Sequence, residues 1–174
     1  RAMYEAFGIR KPLATGIVQW MLNAAWPKMY WQLYDYYLMP GGAFYGARKA
    51  NQPVNISYDY GKRSIHVVND TYNELHNLKA EITVLSTESD QKLSQVVNTG
   101  IGPYESKAIF DLPKLIDSMP VCFLKLKLND AEGKTIAENF YWFSSKQDVL
   151  DLPNSDWYFT PIKEFADFTS LKDL

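Results

Sequence analysis

The stretch Leu78-Lys79-Ala80-Glu81-Ile82-Thr83-Val84 places an apolar side chain at every second position and a polar one between. Successive side chains of a strand point to opposite faces, so a period of two predicts a strand with one dry and one wet face. Cys122-Phe123-Leu124-Lys125-Leu126-Lys127-Leu128-Asn129 repeats the pattern, with Cys122, Leu124, Leu126 and Leu128 on the dry side. Shorter segments of the same kind lie at 54–60, 64–69, 93–99, 105–112 and 135–143. Breaks fall between them at Gly61-Lys62, Asn69-Asp70, Ser89-Asp90, 100–103 and 130–133. Seven short strands over about 100 residues predict an immunoglobulin-like β-sandwich, so the fold class is mainly β. Cys122 is the single cysteine, which makes this a sandwich without a disulfide.

Upstream of that region the chain changes character. Residues 1–51 hold six basic and two acidic side chains, against twelve and eighteen in 52–174. They also hold 11 of the 26 aromatic residues, eight of them between 26 and 45: Trp26, Tyr30, Trp31, Tyr34, Tyr36, Tyr37, Phe44 and Tyr45. Such a contrast predicts two structural contexts joined near Asn51-Gln52-Pro53. The first reads as α/β. A helix end at 3–7 is stopped by Gly8, in the usual C-terminal role of glycine. The run 15–22, apolar on both faces, suits a strand buried on both sides, as in a parallel sheet. Pro27 suits the first turn of a helix running to about Leu38. Pro40-Gly41-Gly42 ends that helix, and a short helical turn follows at 43–49. After Ser144 the strand pattern fades into an aromatic stretch too short for a domain.

With 174 residues, 22% of them charged, and a net charge of −2, the composition is globular and offers nothing to nucleic acid or an anionic membrane surface. No apolar run reaches the roughly 18 residues of a membrane helix. The opening Arg-Ala-Met-Tyr carries no basic-then-apolar leader, so no signal peptide is expected within the chain. Chemistry is sparse. His66 and His76, with no carboxylate at metal-ligand spacing, read as a half-buried strand residue and an exposed loop residue. Cys122 reads as inert core, and Gly41-Gly42 as a turn without the Lys-Ser/Thr of a phosphate loop. No metal and no cofactor is expected. Asn55-Ile56-Ser57 and Asn69-Asp70-Thr71 match the N-glycosylation acceptor pattern.

Glycoside hydrolysis takes two carboxylates roughly 5–9 Å apart. Before residue 52 the candidates are Glu5 and Asp35, each read on a helix facing solvent or a helix neighbour. Neither sits at the end of the buried strand, so no catalytic residue is expected in this chain. Gln19, Asn23 and Trp26 do lie along and just past that strand end, the end that faces substrate in a (β/α)8 barrel. A tryptophan there offers a flat apolar face to the C–H side of a sugar ring, and amides bind hydroxyls. Packing of Trp26 beneath the next helix is the equal alternative.

The run Thr15-Gly16-Ile17-Val18-Gln19-Trp20-Met21-Leu22-Asn23-Ala24-Ala25-Trp26-Pro27 resembles the eighth barrel strand of glycoside hydrolase family 2, in its exo-β-D-glucosaminidase and β-mannosidase branch. The resemblance continues through Tyr34-Asp35-Tyr36-Tyr37-Leu38 and 40–51, then Asn139-Phe140-Tyr141-Trp142-Phe143-Ser144, Trp157-Tyr158-Phe159-Thr160-Pro161 and Phe165-Ala166-Asp167-Phe168-Thr169. It departs at Ala24, where the family pattern has asparagine, so no polar contact is expected from position 24.

The resemblance implies a parent several times longer, with a jelly-roll module, a sandwich, a barrel and further sandwiches. Residues 1–51 would be the last β/α unit of the (β/α)8 barrel, and 52–148 the immunoglobulin-like sandwich after it. Residues 149–174 would be a linker and the start of another sandwich. The implied activity is retaining hydrolysis releasing a terminal β-glucosamine, or alternatively β-mannose. The two glutamates would come from barrel strands outside this chain, which is then inactive alone. Trp26 would line the terminal-sugar subsite, with Gln19 and Asn23 beside it. The parent would be secreted or periplasmic. A 51-residue piece cannot close a barrel of roughly 250 residues, so its apolar surface must repack on the sandwich or join a second copy as a homo-oligomer. The other readings are a non-catalytic carbohydrate-binding module, using surface aromatics such as Tyr58, Tyr60, Trp142 and Trp157, and a purely structural sandwich.

Overall fold

A computed structural model describes residues 1–28 and 32–173. Seven strands build the sandwich: β1 (Val54–Asp59), β2 (Ser64–Asn69), β3 (Leu75–Ser86), β4 (Gln91–Ile101), β5 (Glu105–Asp111), β6 (Val121–Asn129) and β7 (Thr135–Ser144). They form one sheet ordered β1-β2-β5 and another ordered β4-β3-β6-β7. Every pairing within the two sheets is antiparallel. The mainly β sandwich expected from the periodicity is present, with each strand within a few residues of its predicted span.

The two stretches with the clearest alternation turn out to be ladder partners. Ala80 pairs with Leu128, Ile82 with Leu126 and Val84 with Leu124. Their apolar sets therefore share one face, and Leu78, Ala80, Ile82, Val84, Cys122, Leu124, Leu126 and Leu128 are all essentially inaccessible. A slip of one residue would turn either set to water, which is what holds the register. Ile56, Tyr58, Ile65 and Val67 meet them from the other sheet to close the core. On the wet face Glu81 pairs with Lys127 and forms an ion pair with Lys79 at 3.1 Å. Between β6 and β7, Asp130 Oδ1 accepts from the backbone N–H of Glu132 and Lys134, and Gly133 takes φ +81°, the left-handed conformation that glycine adopts without cost.

All six residues of β2, the central strand of the smaller sheet, are buried, so that strand is covered on both faces. Helix α1 (Ala2–Ile9) packs on this sheet, and α2 (Gly42–Ala50) packs against α1. The short turn expected at 43–49 is α2. Helix α1 does not stop at Gly8 but runs on to Ile9, whose side chain is buried and rewards the extra turn. The apolar run 15–22 forms no strand. A strand exists only through ladder partners, and none of the described strands pairs with it. The helix expected from Pro27 to Leu38 is absent from the described part of that span, and Met29, Tyr30 and Trp31 lie outside the described residues. Instead Leu33 and Tyr34 both donate to the Leu22 carbonyl, Asp35 Oδ1 accepts from Met39 N, and Leu38 has φ +62°. Aromatic-rich sequence has modest helix propensity, and an aspartate that bonds nearby backbone favours a loop. Beyond the sandwich, β8 (Val149–Leu150) pairs with β9 (Ile162–Glu164), leaving Trp157, Tyr158, Phe159 and Phe165 exposed.

His66 sits buried on β2, its ring nitrogens 3.0 Å from Ser64 Oγ and 3.3 Å from Ser106 Oγ. Burial pushes its pKa below the ordinary histidine value, with Lys62 adding to the effect and Asp59 and Asp111 opposing it. The unfolded chain then takes up a proton at pH values where the folded chain does not. Stability is complete above the ordinary histidine pKa and declines as pH falls through it toward the lowered one. Urea unfolding at about pH 7.5 and about pH 5.5 should show a lower midpoint in acid, and His66→Gln should shrink that difference. An equal acid loss in the variant would assign it to other groups.

Candidate functional site

Between the two helices, residues 10–28 and 32–41 form an irregular ribbon on which many apolar side chains face outward, while Ala24 is buried. Leu13 is 93% exposed, Val18 91%, Trp20 74% and Trp26 60%. Two isolated bridges, Asn23 with Tyr34 and Tyr34 with Pro40, and a tilted contact of Tyr34 with Phe44 at 5.1 Å between ring centroids give it shape. The three predicted site residues all lie on this ribbon. Gln19 is half-buried: its Oε1 accepts from Tyr4 Oη at 3.1 Å, and its Nε2 donates to the Trp20 carbonyl. Asn23 is exposed and its amide turns back to the Ala24 carbonyl. The Trp26 ring is exposed, with the Lys28 ammonium 4.5 Å from its centre. Trp26 therefore does not pack beneath a helix. No hydrogen bond joins the three to one another among the described residues. Trp20, assigned by its sequence to a two-sided buried strand, is exposed between them and belongs with the candidates. Nothing in the run distinguishes such a ring from a core residue.

The carboxylates are placed otherwise than expected. Glu5 is not at the surface but 4% exposed, wedged between α1 and the sandwich. Its Oε1 takes an ion pair from Arg1 Nε at 3.0 Å and a hydrogen bond from Asn139 Nδ2 at 3.2 Å. The same Nδ2 reaches Asn55 Oδ1 at 3.1 Å and the Ile56 carbonyl at 2.7 Å. Asn55 Nδ2 in turn contacts the carbonyls of Lys49 and Ala50, while Asn51 and Gln52 amides take those of Ala47 and Arg48. These side chains meet the carbonyls that the last turn of α2 leaves open. The seam at residues 51–53 is thus a polar joint. Arg1 extends it, its Nη2 donating to the Phe140 carbonyl and its guanidinium lying 4.4 Å from the centre of the Tyr141 ring. Burial raises the Tyr141 phenol well above its usual pKa, so it stays protonated there. Asp35 is no helix residue and has one oxygen committed to Met39 N.

The remaining candidates are quickly placed. Cys122 is wholly buried and burial lifts its thiol to about 11, so it does not supply a thiolate near neutral pH. His76 is exposed on β3 beside Glu74 at 3.6 Å. Among the described residues no group of histidine, cysteine, aspartate and glutamate has the arrangement of a metal site. Both acceptor-pattern asparagines are buried. Asn69 donates to the carbonyls of Asn73 and Gly102 and accepts from Thr71, and Asn55 belongs to the polar joint. Tyr58, one of the aromatics considered for a sugar-binding surface, is 4% exposed and its phenol is pushed up to about 12 by burial.

A seven-stranded sandwich riveted to two helices, with an aromatic ribbon and no assembled catalytic pair among the described residues, defines an immunoglobulin-like accessory module. Residues 61–148 match the Mannosidase Ig/CBM-like domain family, and the chain belongs to it. It is similar to an exo-β-D-glucosaminidase of Streptomyces avermitilis, 38% identical over 98% of this chain and 20% of that protein. It is also similar to a mannosylglycoprotein endo-β-mannosidase of Lilium longiflorum, 30% identical over 82% of this chain and 15% of that protein. Among solved structures it superposes on the exo-chitosanase CsxA of Amycolatopsis orientalis with a TM-score of 0.90, at 34% identity, covering 99% of this chain and 21% of that one. These are the glucosaminidase and mannosidase relatives that the resemblance to glycoside hydrolase family 2 implied. The chain spans about a fifth of the length of the curated glucosaminidases it matches.

The joint at Asn139 is open to direct measurement. Asn139→Ala strands the Ile56 carbonyl and takes a donor from a buried carboxylate, which should cost about 3 kcal/mol in urea unfolding. Trypsin should then cut faster after Arg10. An unchanged midpoint and cleavage pattern would show that α1 is held by apolar contact alone.

Proposed function

We propose that this chain acts as part of a retaining β-glycosidase of family 2 that releases terminal β-glucosamine. One observation carries the reading. A ribbon carrying outward-facing apolar and aromatic side chains, among them Leu13, Val18, Trp20, Trp26 and Met39, runs through a chain that matches much longer glycosidases over nearly its whole length. An exposed apolar surface of this extent calls for a protein partner. In this reading residues 1–51 complete a (β/α)8 barrel, 52–148 brace it, and 149–174 lead into a further module. The exposed ribbon is then the eighth barrel strand and its return, and the neighbouring strands supply the ladder partners. Two carboxylates from elsewhere in the barrel perform the double displacement. Trp26 and Trp20 present rings to the terminal sugar, with the Asn23 and Gln19 amides near its hydroxyls. Secretion or a periplasmic location suits an enzyme acting on a polymer outside the cytoplasm. The greater identity and coverage of the glucosaminidase relatives favour glucosamine over mannose.

The test uses the full-length protein encoded at the source locus, assayed with aryl β-D-glucosaminide and aryl β-D-mannoside. Hydrolysis of the first, with kcat/KM reduced about tenfold in Trp26→Ala, is the expected result. Preference for the mannoside would move the parent to the mannosidase branch, and absence of both activities would reject the reading. The 174-residue chain alone should hydrolyse neither. In isolation its ribbon should drive self-association, read as a concentration-dependent mass in light scattering and reversed by Val18→Lys. A constant monomeric mass would show that the ribbon needs no cover.

A further inference from the structure

A hollow of about 540 Å³ opens between the end of β7, the turn after β1 and the β8–β9 tail. Small-molecule sites commonly measure roughly 300–1,000 Å³. Tyr60 and Trp142 stand on its wall, 57% and 56% exposed, although Tyr58 and Tyr141 beside them in sequence are buried. Both rings also border a second hollow of about 280 Å³, so the pair forms a divide with space on either side.

The polar lining has a definite sign. Asp117 binds Arg63 through Oδ1 at 3.0 Å, and Asp148 Oδ1 accepts from Ala166 N at 2.7 Å. The second oxygen of each carboxylate has no partner among the described residues, nor does the Gln147 amide. Arg63 is the single cation against two carboxylates in this lining. Such a hollow offers apolar faces, a free amide and unbalanced negative charge together. A pyranose with an ammonium group matches all three: its C–H face meets a ring, its hydroxyls the amide, and its ammonium the carboxylates.

We propose that the hollow walled by Tyr60 and Trp142 binds an amino-sugar oligosaccharide, separately from any site on the ribbon. The choice of amino sugar over neutral sugar rests on the glucosaminidase reading, whereas the two exposed rings and the hollow stand without it. A β-1,4-linked chain laid across the divide would place one residue in each hollow. The function is that of a second grip on a polymer whose end is being processed elsewhere.

The test is a titration of the 174-residue chain, followed by NMR at the tryptophan indole N–H groups. The probes are the β-1,4 disaccharide of glucosamine, its N-acetylated counterpart and cellobiose. Saturable shifts at Trp142 with the glucosamine disaccharide, at a dissociation constant of about a millimolar, are expected. Trp142→Ala should weaken binding about tenfold. Asp148→Asn should weaken it for the glucosamine disaccharide and leave cellobiose unaffected. Dispersed spectra of the variants establish that they fold, and Asp148→Asn keeps an oxygen for the Ala166 N–H. Absence of saturable shifts at Trp142 with all three sugars overturns the site. Equal binding of the three overturns the amino-sugar assignment, and shifts confined to Trp20 and Trp26 overturn its placement. None of these outcomes involves hydrolysis, so failure here leaves the glycosidase reading standing, and the loss of that reading leaves the titration interpretable.

Discussion

One amide side chain holds the parts of this chain together. Asn139 Nδ2 faces a carboxylate on α1, an amide oxygen on β1 and a backbone carbonyl of the same strand. All three are acceptors, so only the nitrogen end of the amide fits toward them, which fixes how the side chain is turned. Its own oxygen is buried without a partner. The arrangement is thus not optimal for stability, since an unmet polar atom costs roughly 1–3 kcal/mol. What it secures is placement. Apolar contact alone would let α1 slide on the sheet, whereas a carboxylate out of water must stay where its donors are. Through Asn55 the same network reaches the C-terminus of α2, so both helices take their positions from the sandwich.

That network also explains how far sequence reading reaches. Alternation along β3 and β6 is visible because a strand with one dry face has only one periodicity. The larger sheet therefore follows from local pattern plus register. Glu5 has no such mark. In a sequence it is an ordinary helix carboxylate, and its burial depends on Asn139, 134 residues away. The ribbon failed for the opposite reason. Its apolar run is the pattern of a strand buried on both sides, but burial takes neighbours, and the run stands exposed without them. Trp20 shows the ambiguity in a single residue: the same ring reads as core or as a ligand surface according to what surrounds it. Asn51 and Gln52, which mark a composition boundary, serve in the structure as caps for α2.

Function follows the same division. The sandwich and its joint bury their own core, whereas the ribbon leaves large apolar rings exposed and, in the proposed reading, is half of an interface. Two surfaces carry exposed aromatic rings, one at the ribbon and one around Tyr60 and Trp142. In the reading proposed above, the first takes the residue being released and the second the chain behind it.

The distribution of tryptophan has an optical consequence. Trp20, Trp26, Trp142 and Trp157 are all more than half exposed, while the rings packed in the core are those of Tyr58 and Tyr141. Four indoles already in water have little to gain in solvent contact when the sandwich melts. Their emission is a poor witness of unfolding and a good one of anything that comes to cover these surfaces, so the melting of the core is better followed through its tyrosines.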